Sequence, residues 1–245
     1  MKVKGSIALV TGANRGLGKA YVEELLAAGA AKVYAGMRAV APVSDPRVMP
    51  VQLDITSKAD IAAATRQCND VTILINNAGI MLAAPMITPK AAESMRREMD
   101  VNVFGTLAMI QAFAPVLARN GGGAIANVLS VVSWITYPLN ATYGASKHAL
   151  LAVTDSARIE LKAQGTQVVG VYAGFIDTDM ASEMARPEEP KTPPRQVALR
   201  TLQGIEGGVD HVRADERAEG IWENMRNDFE GLERFLQQAW DTREK

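Results

Sequence analysis

Ile7-Ala8-Leu9-Val10-Thr11-Gly12-Ala13-Asn14-Arg15-Gly16-Leu17-Gly18 decides how the rest of the chain is read. A short apolar run, Ile7–Thr11, reads as a strand that ends in a glycine-rich turn, and a helix pattern follows over Gly16–Ala28 until Gly29. Glycines let a chain turn sharply and bring backbone N–H groups close to a phosphate. The start of a helix adds further donors and a positive dipole end. Gly12, Asn14, Arg15, Gly16, Leu17 and Gly18 are therefore candidate phosphate-loop residues. Their spacing is G-x3-G-x-G rather than the general G-x-G-x-x-G. Its place between the first strand and the first helix points to a dinucleotide site. No Gly-Lys-Ser/Thr ending is present, which speaks against a phosphate-loop nucleotidase.

Beyond this stretch, short strands alternate with longer helical patterns. Lys32–Gly36, Val48–Asp54, Val71–Asn76, Ile125–Ser130 and Gln167–Tyr172 read as strands. Ser57–Asn69, Glu93–Arg119 (with Pro115 a kink) and Tyr143–Ala163 read as helices. Apolar strands separated by helices indicate a parallel sheet covered on both faces, so the expected fold is a single doubly wound α/β domain of Rossmann type over residues 1–245. Residues 1–180 would form the dinucleotide-binding and catalytic core. Four prolines within Arg186–Arg195 mark an exposed irregular segment, and 181–205 is read as a substrate lid that includes a helix at Gln196–Gly204. Residues 206–245 read as a strand near Val209–Ala214 and one amphipathic helix, Asp215–Trp240, packed on the core.

With 26 basic and 27 acidic residues and a net charge of −1, the chain lacks the basic excess that nucleic acid or an anionic membrane would call for. The single cysteine, Cys68, excludes an intrachain disulfide framework and fits a reducing compartment. The apolar run Ile7–Val10 is too short for a signal peptide, and no stretch approaches the roughly 20 apolar residues of a membrane span. A cytoplasmic protein is expected. His211 and Cys68 have no partners at metal-ligand spacing, so no metal is expected.

Two arginines bear on the choice of dinucleotide. Arg15 stands at a helix N-terminus, where a cation opposes the dipole unless an anion sits beside it. The second strand ends in Gly36-Met37-Arg38 with no acid to hold a ribose 2′-hydroxyl, so NADP is favoured over NAD. Tyr143 and Lys147 stand four apart at the start of a helix and share one face. A free tyrosine titrates near ~10, and a lysine ammonium beside it should lower that value toward one useful for proton transfer. Ser130, at the C-terminal end of a central strand, could hold a substrate oxygen there. Ser133 competes with it.

In Thr11-Gly12-x-x-x-Gly16-x-Gly18, Asp54, Asn76-Asn77-Ala78-Gly79, Asn102, Ser130 and Tyr143-x-x-x-Lys147, taken in order, the chain resembles the short-chain dehydrogenase/reductase family in its compact branch. The resemblance covers residues 5 to about 180. It implies that Ser130, Tyr143, Lys147 and Asn102 are catalytic, and that Asn102 holds a water linking Lys147 to solvent. It further implies that Asp54 and Ile55 meet the adenine, that Asn76, Asn77, Ala78 and Gly79 line the cofactor cleft and brace the sheet, and that Lys147 holds the nicotinamide ribose. Gly174, Ile176 and Thr178 would meet the nicotinamide, although Ala173-Gly174 replaces the family's usual Pro-Gly. The resemblance also implies a homodimer or homotetramer paired through Glu93–Arg119 and Tyr143–Ala163.

The expected activity is hydride transfer between NADP(H) and a small carbonyl or alcohol substrate, with Tyr143 as acid and base. Reduction of an imine or an activated double bond at the same site, or a non-catalytic dinucleotide-binding sensor, are the alternatives. Trp134, Tyr137, Met180 and Met184 are expected to line the substrate pocket, and the Met81–Met86 stretch to be either pocket wall or loop packing.

Overall fold

The computed structural model describes residues 1–182 and 190–242. The chain runs β1 (Ile7–Thr11), α1 (Gly16–Ala27), β2 (Lys32–Met37), β3 (Val48–Gln52), α2 (Lys58–Gln67), β4 (Ile73–Asn76), α3 (Ala91–Glu98), α4 (Thr106–Arg119), β5 (Gly123–Val128), α5 (Ala141–Leu161) and β6 (Thr166–Tyr172). It continues through a short α6 (Asp179–Ser182), α7 (Pro194–Gly207), β7 (His211–Arg213), α8 (Glu216–Asn227) and α9 (Phe229–Asp241). All seven strands are parallel, in the order β3-β2-β1-β4-β5-β6-β7. This is the expected doubly wound sheet. β3 carries Pro50 and lies at the edge, where a missing donor costs no ladder bond.

Successive side chains of the central strands go to opposite faces. Ala8, Val10, Ile73, Ile75, Val169 and Val171 pack with Leu17, Tyr21 and Leu25 of α1 and with Val197, Leu202 and Ile205 of α7. Leu9, Leu74, Ile125 and Val168 pack on the other face with Ile61 of α2 and with Met109, Phe113 and Leu117 of α4. Full burial of each such side chain contributes about 1.5–3 kcal/mol, so both layers hold the sheet. The strand order reverses between β1 and β4, and the crevice beyond their C-terminal ends is where doubly wound folds bind ligands.

Four expectations change. The helix expected from Glu93 holds a π-helical turn, Met99–Gly105, between α3 and α4, and Asn102 sits inside it. The run Ala91–Arg119 is, among the described residues, the one helix long and apolar enough to cross a membrane, contrary to expectation; half of its most apolar window is buried, as in a core helix. α7 is no part of a lid, because Val197, Ala198 and Ile205 are buried and Thr201 bonds Tyr21 at 2.8 Å. The C-terminal helix is two helices, since Asp228 takes a non-helical conformation (φ −152°, ψ 66°) and caps α9 by accepting from the Gly231 N–H at 2.9 Å.

Candidate active site

A cleft of about 1080 Å3 runs across the C-terminal ends of β1, β2, β4, β5 and β6. At one end lie Gly12, Asn14, Arg15, Gly16, Leu17, Gly18, Arg38, Asp54 and Ile55; at its centre lie Ala78, Gly79, Ser130, Tyr143 and Lys147. Gly174, Ile176, Thr178, Met180 and Tyr137 complete the expected residues that it collects. Met184 lies outside the described residues.

Gly12 has φ +67°, a conformation open to glycine. A Cβ at Gly18 would stand 2.0 Å from the Gly12 carbonyl oxygen, so the loop closes on itself only with no side chain at position 18. α1 starts at Arg15 with no side-chain cap and no acid in its first turn. α5 and α7 start likewise, whereas α2, α8 and α9 are capped by Ser57, Asp215 and Asp228. The free N–H groups of α1 thus face the cleft. Arg15 reaches across it to Asp179 at 2.9 Å, an exposed pair of small energetic weight. β2 hands Arg38 and Ala39 to the cleft, and no carboxylate.

The two adjacent asparagines divide the expected roles, Asn76 bracing the sheet and Asn77 lining the cleft. Asn76 is buried, donates to Asn127 Oδ1 at 2.8 Å and does not line the cleft, because it points into the sheet between β4 and β5. Asn77 faces the loop, donating to the Thr11 and Gly12 carbonyls at 2.9 and 3.3 Å. Thr11 Oγ1 accepts from the Asn77 and Ala78 N–H groups at 3.0 and 2.9 Å.

Ser130 ends the turn after β5, where its Oγ accepts from the Val132 N–H at 3.4 Å. Ser133 is fully buried and accepts from the Ser130 N–H at 3.2 Å, so the competing serine supports Ser130 from behind. Tyr143 and Lys147 share one face of α5, with Lys147 Nζ 5.5 Å from the phenol ring centroid. Lys147 donates to the Val128 carbonyl at 2.8 Å, and burial pulls its ammonium down to about 8. The expected lowering of Tyr143 is not found. Burial raises the phenol above its ordinary value, and the nearby Glu98 charge raises it further. Asn102 does not line the cleft. Its Oδ1 accepts from the Ile80 N–H at 2.8 Å, and its Nδ2 donates to the Ile80 carbonyl and to Ser146 Oγ at 2.9 and 3.0 Å.

Glu98 and Asp215 escaped the sequence reading. Glu98 is buried, and its Oε1 accepts from the Leu82 and Ala83 N–H groups at 2.7 and 3.0 Å. It thereby holds a loop in which Ala83 has φ +48°, and Ala84 of that loop pairs with Thr142, the neighbour of Tyr143. Asp215 accepts from the Gly174 N–H and from Thr192 Oγ1 at 2.8 and 3.2 Å, fixing the turn after β6. A carboxylate ahead of a helix was the readable signal for Asp215; a lone acid within a charged helix gave none for Glu98.

Of the expected pocket walls, Trp134 is misplaced. It stacks on Tyr172 with centroids 3.9 Å apart and lies 5.0 Å from Trp222, under α8 rather than in the cleft. Met81 lines the cleft and Met86 does not. The other end of the cleft is walled instead by Ile221 of α8 and by Leu232, Phe235 and Leu236 of α9. Among the described residues no group of three or more His, Cys, Asp or Glu is placed to hold a metal.

Residues 6–189 match the short chain dehydrogenase family. The chain belongs to that family and is an oxidoreductase. It is 32% identical to an uncharacterised oxidoreductase of Staphylococcus epidermidis over 224 residues, covering 88% of this chain and 96% of the relative. It is 33% identical to a sorbitol dehydrogenase of Cereibacter sphaeroides, covering 72% and 73% of the two chains. Among solved structures, a short chain dehydrogenase from Burkholderia cenocepacia in complex with NADP is 42% identical, with a TM-score of 0.91 over 96% of this chain and 99% of that one.

Proposed function

We propose that this short-chain dehydrogenase uses NADP to interconvert a carbonyl compound and an alcohol, with Tyr143 moving the proton and Ser130 sharing the substrate oxygen. One observation carries the reading: Ser130, Tyr143 and Lys147 line the same cleft as the uncapped start of α1 and Arg38.

The residues present fit a phosphorylated dinucleotide. An uncapped, acid-free helix start suits a pyrophosphate, and the glycine cradle lets it approach the backbone. Arg38 has no ion-pair partner among the described residues, and with no acid at the end of β2 the pattern suits a 2′-phosphate. The NADP complex of the Burkholderia relative agrees with this choice. Asp54 and Ile55 would flank the adenine, Ala78, Gly79 and Lys147 the nicotinamide ribose, and Gly174, Ile176 and Thr178 the carboxamide. Hydride transfer to or from the carbonyl carbon is the chemistry that the bound group supplies.

The chain's own residues do the rest. Burial and Glu98 keep the Tyr143 phenol protonated at neutral pH, ready to donate as a carbonyl is reduced. Lys147, cationic below about pH 8, places positive charge beside the phenolate that forms when the proton leaves. Ser130 Oγ, at the edge of the cleft, hydrogen-bonds the same oxygen and fixes its approach. Asn102, with both side-chain atoms engaged, holds Ile80 at the cleft wall and braces Ser146, the neighbour of Lys147.

Following NADPH absorbance with a panel of ketones tests the reading. Tyr143→Phe is expected to lower kcat/KM about 10³-fold while leaving NADPH binding intact. Unchanged turnover in the variant, or no turnover of any ketone by protein that binds NADPH, would leave the non-catalytic sensor as the better account.

A further inference from the structure

Four buried side-chain atoms among the described residues have no hydrogen-bond partner: Ser6 Oγ, Asn76 Oδ1, Glu98 Oε2 and Asn140 Oδ1. Of these residues only Asn140 lines the cleft. It is 5% exposed and precedes Tyr143 by three residues, about one helical turn. Asn140 also occupies the cap position of α5, where an asparagine ordinarily accepts from an N–H two or three residues on. Its side chain makes no such bond. The amide is therefore withheld from the helix, at a residue that lines the cleft. A ligand hydroxyl is the group that answers it, because a hydroxyl both donates and accepts.

The α8–α9 end of the cleft has another character. Ile135, Ile221, Leu232, Phe235 and Leu236 line it, and Phe235 remains 62% exposed. The charged groups that also line it are partnered: Arg217 lies over the Phe175 ring at 4.8 Å, and Asp228 faces Arg234 at 3.8 Å. Asn224 adds one neutral polar group. Such a surface gains most from covering apolar area and offers little to a chain of hydroxyls.

Building on the carbonyl–alcohol reading, we infer that the substrate is an uncharged ketone, or the matching secondary alcohol, with a bulky apolar body against α8 and α9 and a hydroxyl beside the reacting carbon that Asn140 holds. Asn140 is then a specificity residue, and the class is that of apolar α-hydroxyketones and their diols.

Three probes separate the two halves of the inference: 2-hydroxyacetophenone, acetophenone without its hydroxyl, and hydroxyacetone without its ring. Each is measured by kcat/KM with NADPH and by calorimetric binding to the NADP-loaded protein. Loss of the hydroxyl is expected to cost about tenfold, and loss of the ring about 100-fold. Asn140→Leu should erase the first difference and keep the second; since no cap bond is lost, its melting temperature should stay near that of the unmodified protein. Leu232→Ser should narrow the second difference only. The inference is overturned if hydroxyacetone matches the aromatic probe, if Asn140→Leu keeps the hydroxyl preference, or if no probe binds. Ketone turnover that Tyr143→Phe abolishes would in those cases leave the carbonyl–alcohol reading standing. Absence of all turnover with NADPH bound sinks that reading instead, and the binding differences alone then decide the inference.

Discussion

At the β1–β2 end the cleft is walled by backbone, and at the α8–α9 end by side chains. The first end is fixed by close approaches that admit no alternative: the carbonyl of Gly12 lies where a Cβ of Gly18 would go, and Asn77 and Thr11 lock the loop to β4. The second end rests on helices joined at a single non-helical residue, Asp228, with Phe229 and Phe235 largely exposed. A shared ligand asks for the first construction and a variable one tolerates the second. On the proposed function, substrate choice would change by replacing side chains on α8 and α9 while the sheet edge stays as it is.

Three substitutions would break or sharpen this contrast. Gly18→Ala should have the largest effect, because it forces a methyl into a backbone carbonyl with no flexible neighbour to yield. Overpacking of that kind costs roughly 3 kcal/mol, which corresponds to about 10 °C in melting temperature. NADPH affinity should fall about 100-fold; a variant with normal NADPH binding and an altered ketone KM would reverse the assignment of the two ends. Arg38→Asp comes next, with NADPH dissociation about 10- to 100-fold weaker by fluorescence titration and NADH little changed. Equal binding of both cofactors by the unmodified protein would remove the basis for that prediction. Asp228→Ala should do least. Losing the α9 cap costs about 1 kcal/mol, so ketone KM should rise a few-fold with the NADPH dissociation constant unmoved.

The same contrast explains what the sequence disclosed. β1 and the start of α1 were legible to the residue, because local chain geometry leaves little freedom there. β3 stops at Gln52 rather than Asp54, since the Asp54 carboxylate accepts from the Thr56 N–H and begins a turn. Which asparagine of Asn76-Asn77 faces the loop depends on strand alternation, and a one-residue difference there moves a side chain to the other face. The π-helical turn at Asn102 had no local signature; the bonds that accompany it run to Ile80 and Ser146, 22 residues before and 44 after. Trp134 lay between Ser130 and Tyr143 in sequence, but stacking on Tyr172 took it away from the pocket. The break at Asp228 was readable in principle, as an aspartate three residues before Gly231 within a long charged helix. The substrate end stayed illegible because its walls meet the site only through tertiary packing.

The Trp134–Tyr172–Trp222 cluster gives the molecule its own optical readout. Two of its three tryptophans meet, 5.0 Å apart, where α8 rests on the sheet. Any shift of α8 that accommodates a larger guest changes the coupling of these indoles. Near-ultraviolet circular dichroism and intrinsic emission then follow the seating of the roof in unlabelled protein, during turnover as well as at rest.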